Sequence, residues 1–106
     1  MPISRPTRGA EVGAEVGAEA AEALALAAVQ FLALEAERLQ RFLDLTGLAP
    51  DLLRARLAEP AFLAGVLDHL LGDEPLLLDF ASWAEIDPGA VAEAKHRLVG
   101  RREDAD

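Results

Sequence analysis

Apolar side chains recur along this chain at helical spacing, and no stretch alternates with the period of two that a half-buried strand needs. The first periodic segment runs from Glu19 to Leu34 and is apolar on almost every face between Ala23 and Leu34. A helix of that kind is either central in its domain or covered by a partner. A second helix is predicted over Ala36 to Thr46, where Leu39, Phe42, Leu43 and Thr46 form one stripe. Gly47 follows as a C′ residue able to take positive φ, and Leu48 stands where a Schellman motif places its apolar contact. Pro50 opens a third helix at its first position, with Leu52, Leu53 and Leu57 inward and Arg54 and Arg56 outward. Pro60 ends it, because the residue before a proline is pushed out of the α region.

The fourth helix is predicted over Pro60 to Leu71, with a broad face of Phe62, Leu63, Val66, Leu67, Leu70 and Leu71, closed by Gly72. Asp73 or Glu74 caps the fifth helix, whose stripe is Leu76, Leu77, Phe80 and Trp83 or Ala84. The sixth is expected from Pro88, capped by Asp87, to about Val99, with Val91, Ala94 (or Lys95) and Leu98 inward and Gly100 as its stop. Phe42, Leu45, Leu48, Pro50 and Leu53 recur in the same order and spacing as Phe80, Trp83, Ile86, Pro88 and Val91. This echo predicts two helical corners built alike, each sealed by an aromatic and a plug residue. Two copies are too few for a solenoid. Trp83, the counterpart of Leu45, is expected in the core, with an anchor for a partner as the other reading.

Composition supports the helical reading. Alanine and leucine dominate, Ile occurs only at 3 and 86, and Tyr is absent. Such a chain lacks what strands favour and has what helices favour. The expected fold class is all-α: a compact bundle of five to six short helices, with residues 19–100 as its single domain. Residues 1–18 read as a disordered or frayed low-complexity tail, and 101–106 as a charged tail. Within the first of these, Glu11-Val12-Gly13-Ala14 repeats as Glu15-Val16-Gly17-Ala18. Gly9, Gly13 and Gly17 spell a GxxxG pattern, but that pattern drives pairing in apolar membrane helices, and Glu11 and Glu15 forbid one here.

The net charge of -9 repels a phosphate backbone, so nucleic acid is an unpromising partner. No apolar run approaches the roughly 20 residues of a bilayer span, and the first residues lack a signal-peptide h-region. No membrane association is expected, and the expected location is cytoplasmic. Zero Cys excludes disulfides and thiol chemistry. His69 and His96 do not make a metal site, and His69 is expected as a solvated surface residue. The only hydroxyl side chains are Ser4, Thr7, Thr46 and Ser82, with no nucleophile elbow. No catalytic, metal or cofactor-binding residue is therefore assigned. An enzyme would need a closed pocket with convergent carboxylates or His69.

Several runs carry a family resemblance: Ala23-Leu24-Ala25-Leu26, Arg41-Phe42-Leu43-Asp44-Leu45-Thr46-Gly47-Leu48, Pro60-Ala61-Phe62-Leu63 with Val66-Leu67-Asp68, and Asp87-Pro88 with Val91. Over about Glu22 to Leu98 the chain resembles a family of small alphaproteobacterial proteins classified as a domain of unknown function. The resemblance implies a short, cytosolic, helical, single-domain protein, and it transfers no activity, cofactor or site residue.

The expected function is a non-enzymatic helical protein-interaction module, binding an unidentified protein or itself through the helix at 19–34. Leu24, Leu26, Phe31 and Leu32 are the candidate partner interface. The alternative is a degenerate helix-turn-helix DNA-binding regulator using residues 80–102. Its second helix begins Pro88-Gly89-Ala90-Val91-Ala92-Glu93, without the Arg, Lys, Asn or Gln that base reading needs there.

Overall fold

The structure, a computed structural model, describes the backbone of residues 13–105 and the side chains of residues 17–100. Six α-helices and one 3₁₀ turn make up the described residues, with no strand among them. They are α1 (Gly13–Ala33), α2 (Ala36–Thr46), the 3₁₀ turn (Pro50–Leu52), α3 (Leu53–Arg56), α4 (Pro60–Leu71), α5 (Glu74–Ala84) and α6 (Gly89–Ala105). The all-α expectation holds. The first half of the expected N-terminal tail, residues 1–12, lies outside the described residues.

Three helices make the core. α1 lies against both α4 and α6, and α4 and α6 pack on each other. The buried side of α1 is Ala21, Ala25, Ala28, Val29, Phe31 and Leu32, a helical stripe whose alanines let neighbouring backbones approach closely. Leu63, Val66, Leu67 and Leu70 from α4 and Val91, Ala94 and Leu98 from α6 complete it. Between the last two helices, Lys95 Nζ donates to Asp68 Oδ1 at 2.8 Å, so Lys95 faces outward and Ala94 takes the inward position.

The first helix already includes Gly13, ahead of the expected start near Glu19, and Gly100 does not stop the last one. The frayed-tail reading of residues 1–18 and the stop expected at Gly100 both rest on propensity alone. A helical glycine costs about 1 kcal/mol relative to alanine, too little by itself to end a helix. The third helix departs furthest from expectation. It is a 3₁₀ turn followed by a single α-turn, Leu52 is exposed, and Leu53 and Leu57 are only half-buried. So short a segment shows too few positions to the core for a full inward stripe.

The two corners of the sequence echo have the same build. Gly47 has φ 72° and ψ 15°, and Leu48 N–H donates to the Leu43 carbonyl at 3.2 Å. Glu85 has φ 59° and ψ 48°, and Ile86 N–H donates to the Ala81 carbonyl at 2.9 Å. Each is a Schellman closure with a left-handed C′ residue. Phe42 and Phe80 are both buried beneath them, and Leu48 and Ile86 both pack on the core. The corners differ at the left-handed position, where only the first has glycine. Opposite mutational effects are expected. Gly47→Val should cost about 1 kcal/mol or more. Glu85→Gly should gain about 0.5–1 kcal/mol, the cost of a left-handed non-glycine residue less the added freedom of glycine in the unfolded chain. Urea midpoints of the two variants check both signs.

Candidate functional site

The fifth helix begins on Asp73, whose Oδ1 accepts from Leu76 N–H at 3.2 Å, and it carries Pro75 in its first turn. From that start Phe80 and Ala81 point into the bundle and Ala84 is half-buried. Trp83 does not join them. It is 45% exposed, a correction to its expected place in the core, and its echo counterpart Leu45 is exposed at 65%. Ala84 takes the inward position instead, four residues after the buried Phe80 and so on the same face of the helix.

Trp83 is nevertheless held from below. Its ring centroid lies 5.5 Å from Phe31 and 6.1 Å from Phe80, and Phe31 and Phe80 meet edge to face at 5.4 Å. The Arg38 guanidinium lies 4.1 Å from the Phe31 ring centroid and 3.7 Å from Glu35 Oε2. Leu34, one turn beyond Phe31, is 62% exposed. The outcome is an aromatic edge between α1 and α5 with one open indole.

The four residues expected to form a partner interface divide. Phe31 and Leu32 lie in the core and offer no free surface, a correction that follows from the central place of α1. Leu26 faces outward, and Leu24 lines a shallow groove of about 180 Å³ between α1 and α6. Spacing did not single out Trp83 for the surface, because Trp83 and Ala84 both fit the stripe of α5.

A second concavity, of about 310 Å³, lies beside α2 and α4 and is lined by Phe42, Thr46, Leu48, Arg56, Ala61, Phe62 and Gly65. The Phe42 and Phe62 rings meet edge to face there at 6.0 Å. The Thr46 hydroxyl is turned to its own helix and donates to the Phe42 carbonyl at 2.9 Å. Arg56 Nη1 lies 3.2 Å from Glu59 Oε1.

His69 is not the solvated residue that the sequence suggested. Its ring packs edge to face on Phe42 at 5.1 Å, and Nε2 is buried with no hydrogen-bond partner among the described residues. Burial, and secondarily the charge of Arg41, hold its pKa below the ordinary 6.5, while Asp73 pulls the other way. The unfolded chain then binds the proton more readily than the folded one. Stability should be intact above about pH 6.5 and be lost as pH falls through the lowered folded value. Urea midpoints followed across that window should fall less in His69→Gln than in the unaltered protein.

Against known families, the chain matches the model described as "Protein of unknown function (DUF3572)" over residues 18–101. The chain belongs to this family. The match extends beyond the expected Glu22 to Leu98 at both ends and takes in all of α2 to α5. No curated protein and no solved structure matches it. Membership in DUF3572 therefore carries no activity to this chain, and function rests on the geometry of the domain itself.

Within the DUF3572 domain, no group of three or more His, Asp or Glu side chains among the described residues could hold a metal ion. No single helix among them is long and apolar enough to cross a membrane, and α1 and α2 meet at a bend of 116°. At the start of α6 the exposed residues are Gly89, Ala92 and Glu93. Farther along, Lys95 is engaged by Asp68. Arg97 lies over Gly17, where a Cβ would come within 2.9 Å of its Nη1. DNA reading by 80–102 gains no support from this placement.

Proposed function

We propose that this DUF3572 protein is a non-enzymatic, cytoplasmic interaction module that docks a partner protein on the edge between α1 and α5. The observation that carries the reading is Trp83, which leaves nearly half its surface open while resting on the buried rings of Phe31 and Phe80. A rigidly supported, exposed tryptophan is the residue type that most often anchors an interface. The partner is a basic protein with an apolar contact surface. Net charge -9 opposes self-association at long range and favours a partner of opposite charge.

Trp83 is the sole tryptophan, so it reports its own burial. Affinity capture from source cytosol, with unaltered and Trp83→Ala baits in parallel, is expected to yield a partner that the variant loses. The purified partner should shift the indole emission to the blue and bind more weakly as salt rises. Equal capture by both baits, or a partner that leaves the emission unmoved, overturns the reading. The Trp83→Ala bait must first show the helical circular dichroism of the unaltered chain, so that a lost fold is not read as a lost contact.

A further inference from the structure

Gly65 stands in the middle of α4 with helical backbone, and Gly47 is the one glycine with positive φ among the described residues. A helix interior is a poor place for glycine, which is less favourable there than alanine. Two structural reasons usually account for one, a left-handed backbone or the close approach of a neighbour. Neither applies. A Cβ built on Gly65 meets nothing within 4 Å. The open space it faces is the groove beside α2, which Gly65 itself lines. A side chain at this position would fill that groove, so glycine keeps it open against the preference of the helix.

The chemistry of the groove is one-sided. Phe42, Phe62 and Leu48 make an apolar lining, and Phe42 is itself buried and held in place by the ring contact with Phe62. The charged residue in the lining is Arg56, and no carboxylate lines it, in a chain whose net charge is -9. Arg56 is paired with Glu59 at 3.2 Å, but both side chains are about half exposed. An exposed pair of that kind adds little, so another carboxylate could replace Glu59 at small cost. The volume of about 310 Å³ is at the low end of small-molecule sites, which run from roughly 300 to 1,000 Å³.

We propose that this groove binds a small ligand with an apolar body and a single carboxylate, the body against Phe42 and Phe62 over Gly65 and the carboxylate on Arg56. The site is separate from the Trp83 edge and does not depend on it. Octanoate is the probe, titrated into the full-length ¹⁵N-labelled chain, with octylammonium as the control of opposite charge. Saturable shifts are expected at the amides of Gly65, Phe62, Phe42 and Leu48. Octanoate should bind about tenfold or more tightly than octylammonium, and Arg56→Gln should remove that preference. Gly65→Leu should abolish the saturable shifts while melting at or above the temperature of the unaltered protein.

Absence of saturable shifts with octanoate overturns the proposal. So does equal binding of octylammonium, or octanoate binding that survives Gly65→Leu. A Gly65→Leu chain that melts lower would show that packing, not a ligand, requires the glycine, and would remove the premise.

Discussion

Phe80→Ala is expected to destabilise the protein by about 3–5 kcal/mol, the range for truncating a fully buried phenylalanine. Phe80 has no exposed surface, and its ring edge meets Phe31 at 5.4 Å. On α5 the buried residues are Phe80 and Ala81 alone, so this one side chain makes most of the fully buried contact between α5 and the bundle. Alanine would open a cavity beneath Phe31 and Trp83 that neither ring can fill without leaving its other contacts. Small domains are stable by only about 5–15 kcal/mol in total, so the loss is a large share of the whole. Urea unfolding followed by far-ultraviolet circular dichroism measures it. The fluorescence of Trp83 should red-shift before the helical signal falls, because α5 loosens first. A loss below about 1 kcal/mol would place Phe80 outside the core.

Leu67→Asn should be comparably damaging for a different reason. Leu67 is fully buried on α4, the helix that packs against both α1 and α6. Asparagine is close in size, so a large cavity is not the issue. The loss is the burial of an isobutyl group, worth about 1.5–3 kcal/mol. To it is added about 1–3 kcal/mol for an amide left without partners. The residues that form the buried core are all apolar, so none of them offers a side-chain partner to that amide. Loss of a cooperative transition by circular dichroism is the expected result at the upper end of that range. A midpoint near that of the unaltered chain would show that water or a backbone group reaches position 67.

Propensity and pattern do not settle how helices pack on one another. The all-round apolar character of α1 in the sequence rests largely on alanine, and it points to an interface of Leu24, Leu26, Phe31 and Leu32. In the fold, Ala21, Ala25 and Ala28 serve as thin contacts toward neighbouring helices, and Phe31 and Leu32 are consumed by the core. The outward remainder includes Ala23, Leu26, Gln30 and Leu34, a far less continuous surface. The position of His69 off the apolar stripe of α4 likewise says nothing of Phe42, which α2 brings against it.

The helix types and most of their boundaries were set locally, and so could be read from the chain. Pro50, Pro60 and Pro75 each occupy a first turn, Asp73 caps by its own side chain, and Gly47 takes the left-handed angle foreseen for it. Those are interactions within a few residues, and short-range chemistry is written in the sequence directly. The echo of Phe42 and Phe80 likewise foretold two corners of one build, because a Schellman closure spans only six residues. Which helix lies at the centre, whether Trp83 or Ala84 turns inward, and that Gly65 faces open space depend on where other helices stand. Those choices turn on contacts between residues far apart in the chain, and periodicity carries no record of them. Both candidate sites, the Trp83 edge and the Gly65 groove, lie where one helix meets another, and only the tertiary structure decided them.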